Sequence, residues 1–96
     1  MIIWITGKRK SGKTTLGKEL SSKLKAIHLD GDDMRASITE GLGFSDEDRL
    51  ENNKRIAKLA KILENQGWDV VCSTICPDHV RDDVFNITGC KFINLT

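Results

Sequence analysis

Short apolar runs alternate with amphipathic segments along the chain. The runs are typical of strands buried on both faces of a sheet, and they cover residues 2–5, 26–29, 68–72 and 91–95. A first helix is predicted over Lys13–Leu24, where leucines recur every four residues at Leu16, Leu20 and Leu24. Strands that alternate with helices favour an α/β fold, with a small parallel sheet of about four strands and helices on its faces.

The middle of the chain predicts two further helices. A short one covers residues 33–39 and is broken by Gly41-Leu42-Gly43. A long one begins after Ser45, because Ser45-Asp46-Glu47-Asp48 has the form of a capping box with acidic residues in the first turn. Gly67 is its predicted C-terminal stop, and its buried face is formed by Ile56, Leu59, Ala60 and Leu63. Residues 77–81 are predicted to form a loop.

Length and charge limit the classes of protein to which the chain can belong. Ninety-six residues form one small domain, and a net charge of +1 gives no strong field for nucleic acid or an anionic membrane. No apolar run approaches the roughly 18 residues of a membrane span, and the apolar start lacks the basic leader of a signal peptide. We therefore expect a cytoplasmic protein that binds neither nucleic acid nor a membrane. Cys72, Cys76 and Cys90 are expected to be reduced thiols in or near the core, with a redox or metal role as the alternative.

A phosphate-binding motif lies between the first strand and the first helix. Residues 7–14 satisfy the pattern G-x-x-x-x-G-K-[ST], which in this context predicts a P-loop NTPase-type three-layer sandwich. Its glycines let the backbone wrap an anion so that amide N–H groups converge on phosphate oxygens, and the next helix adds its positive N-terminus. Lys13 is expected to reach the β- and γ-phosphates of ATP, and Thr14 to ligate Mg²⁺. The predicted ATP-binding set is Gly7, Lys8, Arg9, Lys10, Ser11, Gly12, Lys13, Thr14 and Thr15.

The three basic side chains inside this loop leave two interpretations open. Lys8, Arg9 and Lys10 could touch phosphate, or they could point into solvent. A nucleic-acid patch is disfavoured, since no aromatic residues are interleaved with them.

The segment Asp30-Gly31-Asp32 follows the second strand, at the sheet edge where open α/β folds bind ligands. A carboxylate there can orient an acceptor hydroxyl, take its proton or help to hold Mg²⁺. We assign Asp30 and Asp32, together with Lys13, as candidate catalytic residues, and Thr14 and Asp30 as candidate metal ligands. The structural alternative is that Asp32 caps the next helix while Asp30 forms the turn.

The buried face of the long helix turns polar toward its N-terminus, at Asn52 and Arg49. An inward-facing row that becomes polar usually lines a wet or ionic site rather than core. Arg49 offers a fork of donors suited to phosphate or sulfate, with a structural salt bridge as the alternative. Phe44 precedes the N-cap, and its apolar staple partner would have to be Arg49, so Phe44 is free to stack on a base or to join the core. Arg35, one turn after Asp32, would lie on the same rim or be exposed.

Taken together, these segments resemble the adenylylsulfate kinase family. The resemblance rests on the phosphate loop of residues 7–15, on Leu29-Asp30-Gly31-Asp32 with Arg35, and on Leu42-Gly43-Phe44-Ser45-Asp46-Glu47-Asp48-Arg49 followed by Glu51-Asn52 and Arg55-Ile56-Ala57. Many NTPases share the loop, whereas the run from Leu42 to Asn52, at this distance from the acidic turn, is far more specific. The resemblance extends in order over essentially all 96 residues.

The resemblance implies transfer of the γ-phosphoryl group of MgATP to the 3′-hydroxyl of adenylyl sulfate, giving 3′-phosphoadenylyl sulfate in sulfate activation. Lys13 and Thr14 would then bind ATP phosphates and Mg²⁺, while Asp30 and Asp32 would serve the metal and the acceptor hydroxyl. Adenylyl sulfate would be held by Asp32, Arg35, Arg49 and Asn52, with Phe44 stacked on its adenine. A homodimer is one assembly that the sequence leaves open.

Two features depart from the family's pattern. The family usually has Ile-Ser-Pro-Tyr-Arg after its third strand, where this chain has Ile75-Cys76-Pro77-Asp78-His79 and its next base at Arg81. The family also has a C-terminal lid and a further strand, so residues 1–96 are expected to correspond to the N-terminal and central part of the kinase domain. The alternatives are another small-molecule or nucleotide kinase, or a nucleotide-binding module without turnover.

Overall fold

The computed structural model describes residues 1–95, which form four strands and four helices. In chain order these are β1 (Ile2–Gly7), α1 (Lys13–Leu24), β2 (Ile27–Asp30), α2 (Gly31–Arg35), α3 (Asp46–Asn65), β3 (Val70–Thr74), α4 (Asp78–Thr88) and β4 (Lys91–Leu95). This order confirms the predicted α/β class. The bounds of α1 and β4 are those expected from the sequence.

The four strands are all parallel and lie in the order β2-β3-β1-β4. Trp4 at the centre of β1 pairs with Cys72 of β3 on one side and with Phe92 of β4 on the other. Because the strands run in one direction, their carboxyl ends meet at the same edge of the sheet. The phosphate loop follows β1 at this edge, and Asp30 ends β2 there. The predicted parallel sheet is therefore confirmed, and it brings the loop and the acidic turn together.

Helices cover both faces of the sheet and give three layers. Successive residues of β1 point to opposite faces, so Trp4 enters the larger core, with α3 and α4, while Ile5 enters the smaller core, with α1. The helix α1 packs on the smaller core through Leu16 and Leu20. Leu24, the third leucine of the predicted stripe, is 38% exposed at the last turn, so the apolar face of α1 ends before the helix does.

Ser45 is the N-cap of α3 as predicted, but the Asp48 side chain makes a different contact from that of a capping box. The backbone N–H of Asp48 donates to Ser45 Oγ at 3.1 Å, which is the expected N-cap bond. The Asp48 carboxylate instead accepts from the backbone N–H of Gly43 at 2.7 Å and so ties the preceding turn to the helix. At the other end, the two residues after the C-cap donate back to the last turn in the Schellman pattern, with Gly67 as the first of them.

The strands β1 and β3 continue two residues beyond the apolar runs, and β3 starts two residues later than predicted. Thr6, Ser73 and Thr74 end the apolar pattern, yet all three are buried. Each hydroxyl has a partner inside the protein; the Thr6 hydroxyl, for example, donates to the carbonyl oxygen of Cys76 at 3.2 Å. Small hydroxyl side chains with buried partners extend a strand that hydropathy alone would end.

The helix α4 was missed by the sequence analysis, which predicted a loop at residues 77–81. Pro77 stands at its N-cap, and Gly89 follows it in a left-handed conformation with φ of 63°. Val80, Val84 and Thr88 recur every four residues and are buried. This spacing was the available signal, and the acidic residues between these positions obscured it.

The three cysteines are buried and free, as the sequence predicts. Burial raises the pKa of the Cys76 thiol to about 12, so this thiol stays protonated and weakly nucleophilic at neutral pH. Within residues 1–95, no helix combines the length and the apolar character that crossing a bilayer requires.

Candidate functional site

A cleft of about 650 Å³ opens at the carboxyl edge of the sheet, between the phosphate loop and the start of α3. It brings together most of the predicted site residues: Arg9, Lys10, Ser11, Gly12, Lys13, Thr14, Thr15, Asp30, Asp32, Arg35, Phe44, Arg49 and Asn52. Gly7 and Lys8 do not line this cleft and lie instead on a smaller one of about 420 Å³, which also contains Arg81. Ser73 and Thr74 line the large cleft as well, and the sequence analysis did not select them.

The phosphate loop is shaped by two left-handed residues. Lys10 has φ of 62° and Gly12 has φ of 93°, and the Ser11 N–H donates to the carbonyl oxygen of Lys8 at 3.2 Å. The side chains of Lys8, Arg9 and Lys10 are exposed, and Arg9 and Lys10 also line the cleft, so neither interpretation of these three bases is excluded.

The N-terminus of α1 is open to an anion, whereas that of α3 is not. Gly12 is the N-cap of α1 and provides no side-chain hydrogen bond, and the first turn carries no acidic residue. At α3 the Ser45 hydroxyl and three acids occupy the same positions. Free N–H groups and an uncompensated helix dipole are the features that bind phosphate.

Lys13 lies at the entrance of this helix and its side chain folds back along the loop. Its Nζ donates to the carbonyl oxygen of Lys8 at 2.7 Å. Burial lowers the pKa of Lys13, while the nearby carboxylates of Asp30 and Asp32 act in the opposite direction. The lysine therefore lies between the phosphate loop and the acidic turn, as its predicted role requires.

The Asp30 carboxylate is held by three donors. Its Oδ1 accepts from the Thr14 hydroxyl at 2.8 Å and from the Ser73 hydroxyl at 2.7 Å, and its Oδ2 accepts from the Asp32 N–H at 3.3 Å. Burial alone would raise the pKa of Asp30, but these hydrogen bonds outweigh it and lower the pKa below its ordinary value. Asp30 is thus a buried, ionised carboxylate in contact with Thr14.

The bond to Asp32 also corrects the sequence analysis. Asp30, and not Asp32, is the N-cap of the next helix, so α2 begins at Gly31 rather than at residue 33. It ends at Arg35 rather than at residue 39. Asp32 lies in the first turn with an exposed side chain at the rim of the cleft.

The lowered pKa of Asp30 predicts a loss of stability in acid. A carboxyl group whose pKa is lower in the folded than in the unfolded chain contributes stability above its unfolded pKa, and this is lost as the pH falls through the folded value. Since the unfolded value is near 3.8, the loss should begin below about pH 4. We expect Asp30→Asn to be less stable than wild type by about 1–3 kcal/mol at neutral pH, and to lose less stability on further acidification.

Urea unfolding between about pH 7 and pH 2 checks this expectation. Asp33→Asn, at an exposed position of the same helix, is the control and should keep the wild-type stability at neutral pH to within about 0.5 kcal/mol. Identical pH slopes for wild type and Asp30→Asn would show that the Asp30 carboxylate is not stabilised by its donors.

Two arginines and an aromatic ring form the opposite wall of the cleft. Arg35 donates through Nη1 to the carbonyl oxygens of Leu42 and Gly43, at 3.2 and 3.0 Å, and Arg49 donates through Nε to that of Phe44 at 3.1 Å. Phe44 is 69% exposed, and the guanidinium carbons of Arg35 and Arg49 lie 4.5 and 5.6 Å from its ring centroid. The core alternative for Phe44 is therefore wrong.

The positive charges of the same two arginines are available to a ligand. Within residues 1–95, neither of them forms a salt bridge, so the structural pairing considered for Arg49 does not occur. Burial lowers the pKa of Arg35, and the neighbouring charge of Arg49 lowers it further. The carboxylates of Asp32 and Asp48 act in the opposite direction but form no salt bridge with Arg35 within residues 1–95. Two close cations of this kind favour the binding of an anion.

Asn52 and Asn53 stand side by side on α3 and are both buried, but only one is satisfied. Asn53 Nδ2 donates to the carbonyl oxygens of Arg49 and Ile75, and Asn53 Oδ1 accepts from the Thr74 hydroxyl at 2.7 Å. Asn52 is 2% exposed and lines the cleft, and its Oδ1 has no hydrogen-bond partner among the described residues. A buried polar group without a partner, on a residue that lines a cleft, is a feature expected of a ligand-binding residue.

Comparison with known proteins places this arrangement in a family. A family model described as adenylylsulphate kinase matches residues 1–95. The chain belongs to the adenylylsulfate kinase family. The resemblance seen in the phosphate loop, the acidic turn and the run from Leu42 to Asn52 is thus confirmed.

Curated relatives named as adenylyl-sulfate kinases are longer than this chain. A probable adenylyl-sulfate kinase of Halalkalibacterium halodurans is 44% identical over 93 residues, covering 92% of this chain and 45% of the relative. The adenylyl-sulfate kinase of Pseudomonas aeruginosa is 44% identical over 81 residues, covering 79% of this chain and 41% of its own length. The chain therefore spans somewhat less than half the length of these relatives.

Solved structures confirm the P-loop kinase fold. The Mycobacterium tuberculosis APS kinase CysC in complex with AMPPNP and APS matches with a TM-score of 0.85 and 31% identity, over 97% of this chain and 59% of that one. A crystal structure of APE1195 matches with a TM-score of 0.87 and 35% identity, over 98% of this chain and 57% of that one. A shikimate kinase from Bacteroides thetaiotaomicron, at 24% identity and a TM-score of 0.67, shares the fold.

Proposed function

We propose that this chain takes part in the transfer of the γ-phosphoryl group of MgATP to the 3′-hydroxyl of adenylyl sulfate, which gives 3′-phosphoadenylyl sulfate. The observation that carries this proposal is the two-sided cleft. One wall has an uncapped helix N-terminus and a hydroxyl–carboxylate pair. The other has a buried asparagine and two arginines that form no salt bridge among residues 1–95. The first suits a polyphosphate donor and the second an acceptor that is itself an anion.

The donor wall fits the phosphates of a nucleotide. The N–H groups of the loop and of the first turn of α1 would bind β- and γ-phosphate oxygens, with Lys13 reaching the same oxygens from the side of Asp30. The Thr14 hydroxyl and the ionised Asp30 carboxylate are hard oxygen ligands 2.8 Å apart, which is the ligand type that Mg²⁺ prefers. Bound Mg²⁺ would supply neutralisation of the charge on the transferring phosphoryl group.

The acceptor wall fits adenylyl sulfate. Its phosphate–sulfate anion matches the guanidinium groups of Arg35 and Arg49, and Asn52 Oδ1, which has no partner among the described residues, could accept a hydrogen bond from a ribose hydroxyl or from the amino group of the base. The exposed ring of Phe44 offers a surface for the adenine.

Asp32 is the residue best placed to serve the acceptor hydroxyl, since its side chain is exposed at the rim between the two walls. In the transfer, the 3′-oxygen forms a bond to the γ-phosphorus, the bond from that phosphorus to the β-phosphate oxygen breaks, and the hydroxyl proton passes to the Asp32 carboxylate. The protein contributes mainly by positioning the two substrates and neutralising charge.

Arg49→Ala tests the acceptor wall. Loss of a charge-assisted hydrogen bond to an anion is worth about 1.5–3 kcal/mol, so kcat/KM for adenylyl sulfate should fall roughly 10- to 100-fold while MgATP binding stays nearly unchanged. Arg55→Ala is the matched control, because Arg55 lies on the same helix but is exposed and pairs with Glu51 at 3.7 Å. Equal effects of the two substitutions would contradict the assignment of Arg49.

The proposal as a whole is tested by a coupled assay with MgATP and adenylyl sulfate, run beside a panel of other hydroxyl acceptors. Phosphorylation of adenylyl sulfate supports it. Turnover of a different acceptor would indicate another small-molecule kinase, and binding of MgADP without turnover of any acceptor would indicate a nucleotide-binding module. Binding of neither substrate would overturn the proposal.

A further inference from the structure

We infer that His28 and Ser73 are positioning residues for the pair of oxygen ligands formed by Thr14 and Asp30. The inference rests on the proposed function, because it concerns how the chain holds the Mg²⁺ that accompanies the nucleotide. It adds to the site two residues that would act through Thr14 and Asp30 rather than on a substrate.

The four side chains form one continuous chain of hydrogen bonds. His28 Nε2 lies 2.7 Å from Ser73 Oγ, Ser73 donates to Asp30 Oδ1 at 2.7 Å, and Thr14 donates to the same oxygen at 2.8 Å. The chain connects two neighbouring strands and a helix, since β2 pairs with β3 in register at His28–Val71 and Asp30–Ser73. Its members are well shielded, with side-chain exposures of 15% for His28 and 9% for Asp30.

The direction of each hydrogen bond follows from the number of hydrogens available. The Asp30 carboxylate is ionised and only accepts, so the single hydroxyl hydrogen of Ser73 points to Asp30. Ser73 Oγ must then accept from His28, which places a hydrogen on Nε2 of the imidazole ring. The contact between His28 and Ser73 thus fixes the orientation of the hydroxyl that holds Asp30.

A glycine on α1 leaves the space that the His28 ring occupies. Gly17 is the one buried residue of α1, and a Cβ added there would overlap His28 Nε2 and lie 2.8 Å from its Cε1. The imidazole ring therefore occupies the space that any larger residue at this position would take. A bulkier residue at position 17 should displace the ring and break the contact with Ser73.

These hydrogen-bonded side chains act on the metal site by orienting its two oxygen ligands. The Thr14 hydrogen is directed to Asp30, which leaves the lone pairs of the Thr14 oxygen for a cation. Without Ser73, only the Thr14 hydroxyl and the Asp32 N–H would hold the Asp30 carboxylate, so the carboxylate would rotate more readily and its contact with Thr14 would weaken. Residues that orient metal ligands in this manner typically change metal affinity by about 10- to 100-fold when removed.

Two substitutions test the inference directly. Ser73→Ala and His28→Leu should each raise the Mg²⁺ concentration for half-maximal activity, and the dissociation constant of Mn²⁺ in the presence of ADP, by about 10- to 100-fold. His28→Gln keeps an Nε2 donor and should restore most of the affinity. His79→Leu is the control and should have no effect, because His79 is exposed on α4, away from the cleft.

Mn²⁺ binding measured by electron paramagnetic resonance does not depend on turnover, and a half-saturating metal concentration does not depend on the fraction of folded protein. The KM for adenylyl sulfate should change little in the same variants. Gly17→Ala is an independent test. It should weaken metal binding by displacing the His28 ring, and it removes none of the four hydrogen-bonded side chains. It also keeps the inference testable if Ser73→Ala does not fold.

Nitrogen-15 NMR of the wild type should show a hydrogen on His28 Nε2, and Ser73→Ala should alter its signal. Unchanged metal affinity in folded Ser73→Ala and His28→Leu, or a wild-type ring without a hydrogen on Nε2, would overturn the inference. If the wild type binds Mn²⁺ and ADP but does not phosphorylate adenylyl sulfate, the proposed function fails. The comparison of metal affinities would still decide whether His28 and Ser73 are positioning residues. A wild type that binds no metal–nucleotide complex overturns both.

Discussion

Lys13→Ala is expected to reduce phosphoryl transfer by about 10²–10³-fold and to weaken nucleotide binding. Lys13 opens α1 at the uncapped end of the helix, with the loop on one side and the carboxylates of Asp30 and Asp32 on the other. Its bond to the carbonyl oxygen of Lys8 keeps the ammonium group beside the backbone that would bind phosphate. Charge on the transferring phosphoryl group and its leaving oxygen is stabilised by such a fixed cation, and alanine removes it.

Lys23→Ala is the matched control, because Lys23 carries the same charge in the last turn of α1 and is exposed there. It should leave both turnover and nucleotide affinity within about twofold of wild type, as expected for a surface substitution. Steady-state rates with MgATP and adenylyl sulfate, together with calorimetric binding of MgADP, provide the two readouts. A Lys13→Ala variant with undiminished nucleotide affinity would count against a kinase and against a nucleotide-binding module alike.

The donor side of the site was predictable from the sequence because it is local. The phosphate loop and the start of α1 lie within residues 7–14, so their geometry follows from residue types that are adjacent in the chain. The acidic turn was predictable for a related reason: Asp30 ends a strand, and the ends of parallel strands meet at one edge. Which aspartate would cap α2 could not be decided from residue types, since both Asp30 and Asp32 have the chemistry for it.

Contacts between distant segments could not be read from the pattern. Ser73 meets Asp30 across 43 residues and His28 across 45. Ser73 lies beyond the strand predicted over residues 68–72, and the sequence analysis assigned neither Ser73 nor His28 to the site. Asn53 was overlooked beside Asn52 because neighbouring residues on a helix face different directions, and the pattern does not show that Ile75 and Thr74 supply its partners. Such pairings depend on strand order, which the sequence left undetermined.

The argument that left Phe44 free to stack on a base was only partly correct. The argument that Arg49 is a poor apolar partner for a hydrophobic staple agrees with the exposed ring. The same arginine nevertheless contacts the ring as a cation, together with Arg35. Aromatic rings accept cations as well as apolar groups, so the absence of a staple did not mean the absence of a contact.

Trp4→Ala is expected to lower the free energy of unfolding by about 3–5 kcal/mol. Trp4 is fully buried at the centre of β1, in the larger core. A domain of this size is stable by only about 5–15 kcal/mol in total, so this loss should leave a large part of the variant unfolded at physiological temperature. Trp68→Ala is the matched control in the same chain: its side chain is 51% exposed, and its loss should be about 1 kcal/mol or less.

Trp4→Phe separates packing from hydrogen bonding at the same position. The Trp4 indole N–H donates to Thr74 Oγ1 at 2.9 Å, and Thr74 in turn donates to Asn53, which holds the carbonyl oxygens of Arg49 and Ile75. Phenylalanine keeps most of the apolar volume but leaves Thr74 without this donor, so we expect a loss of about 1–3 kcal/mol. Urea unfolding followed by far-UV circular dichroism gives all three values on one scale. A Trp4→Ala effect no larger than that of Trp68→Ala would show that the core does not depend on the central strand. An unchanged free energy of unfolding for Trp4→Phe would show that the hydrogen bonds leading from Trp4 through Thr74 and Asn53 do not stabilise the fold.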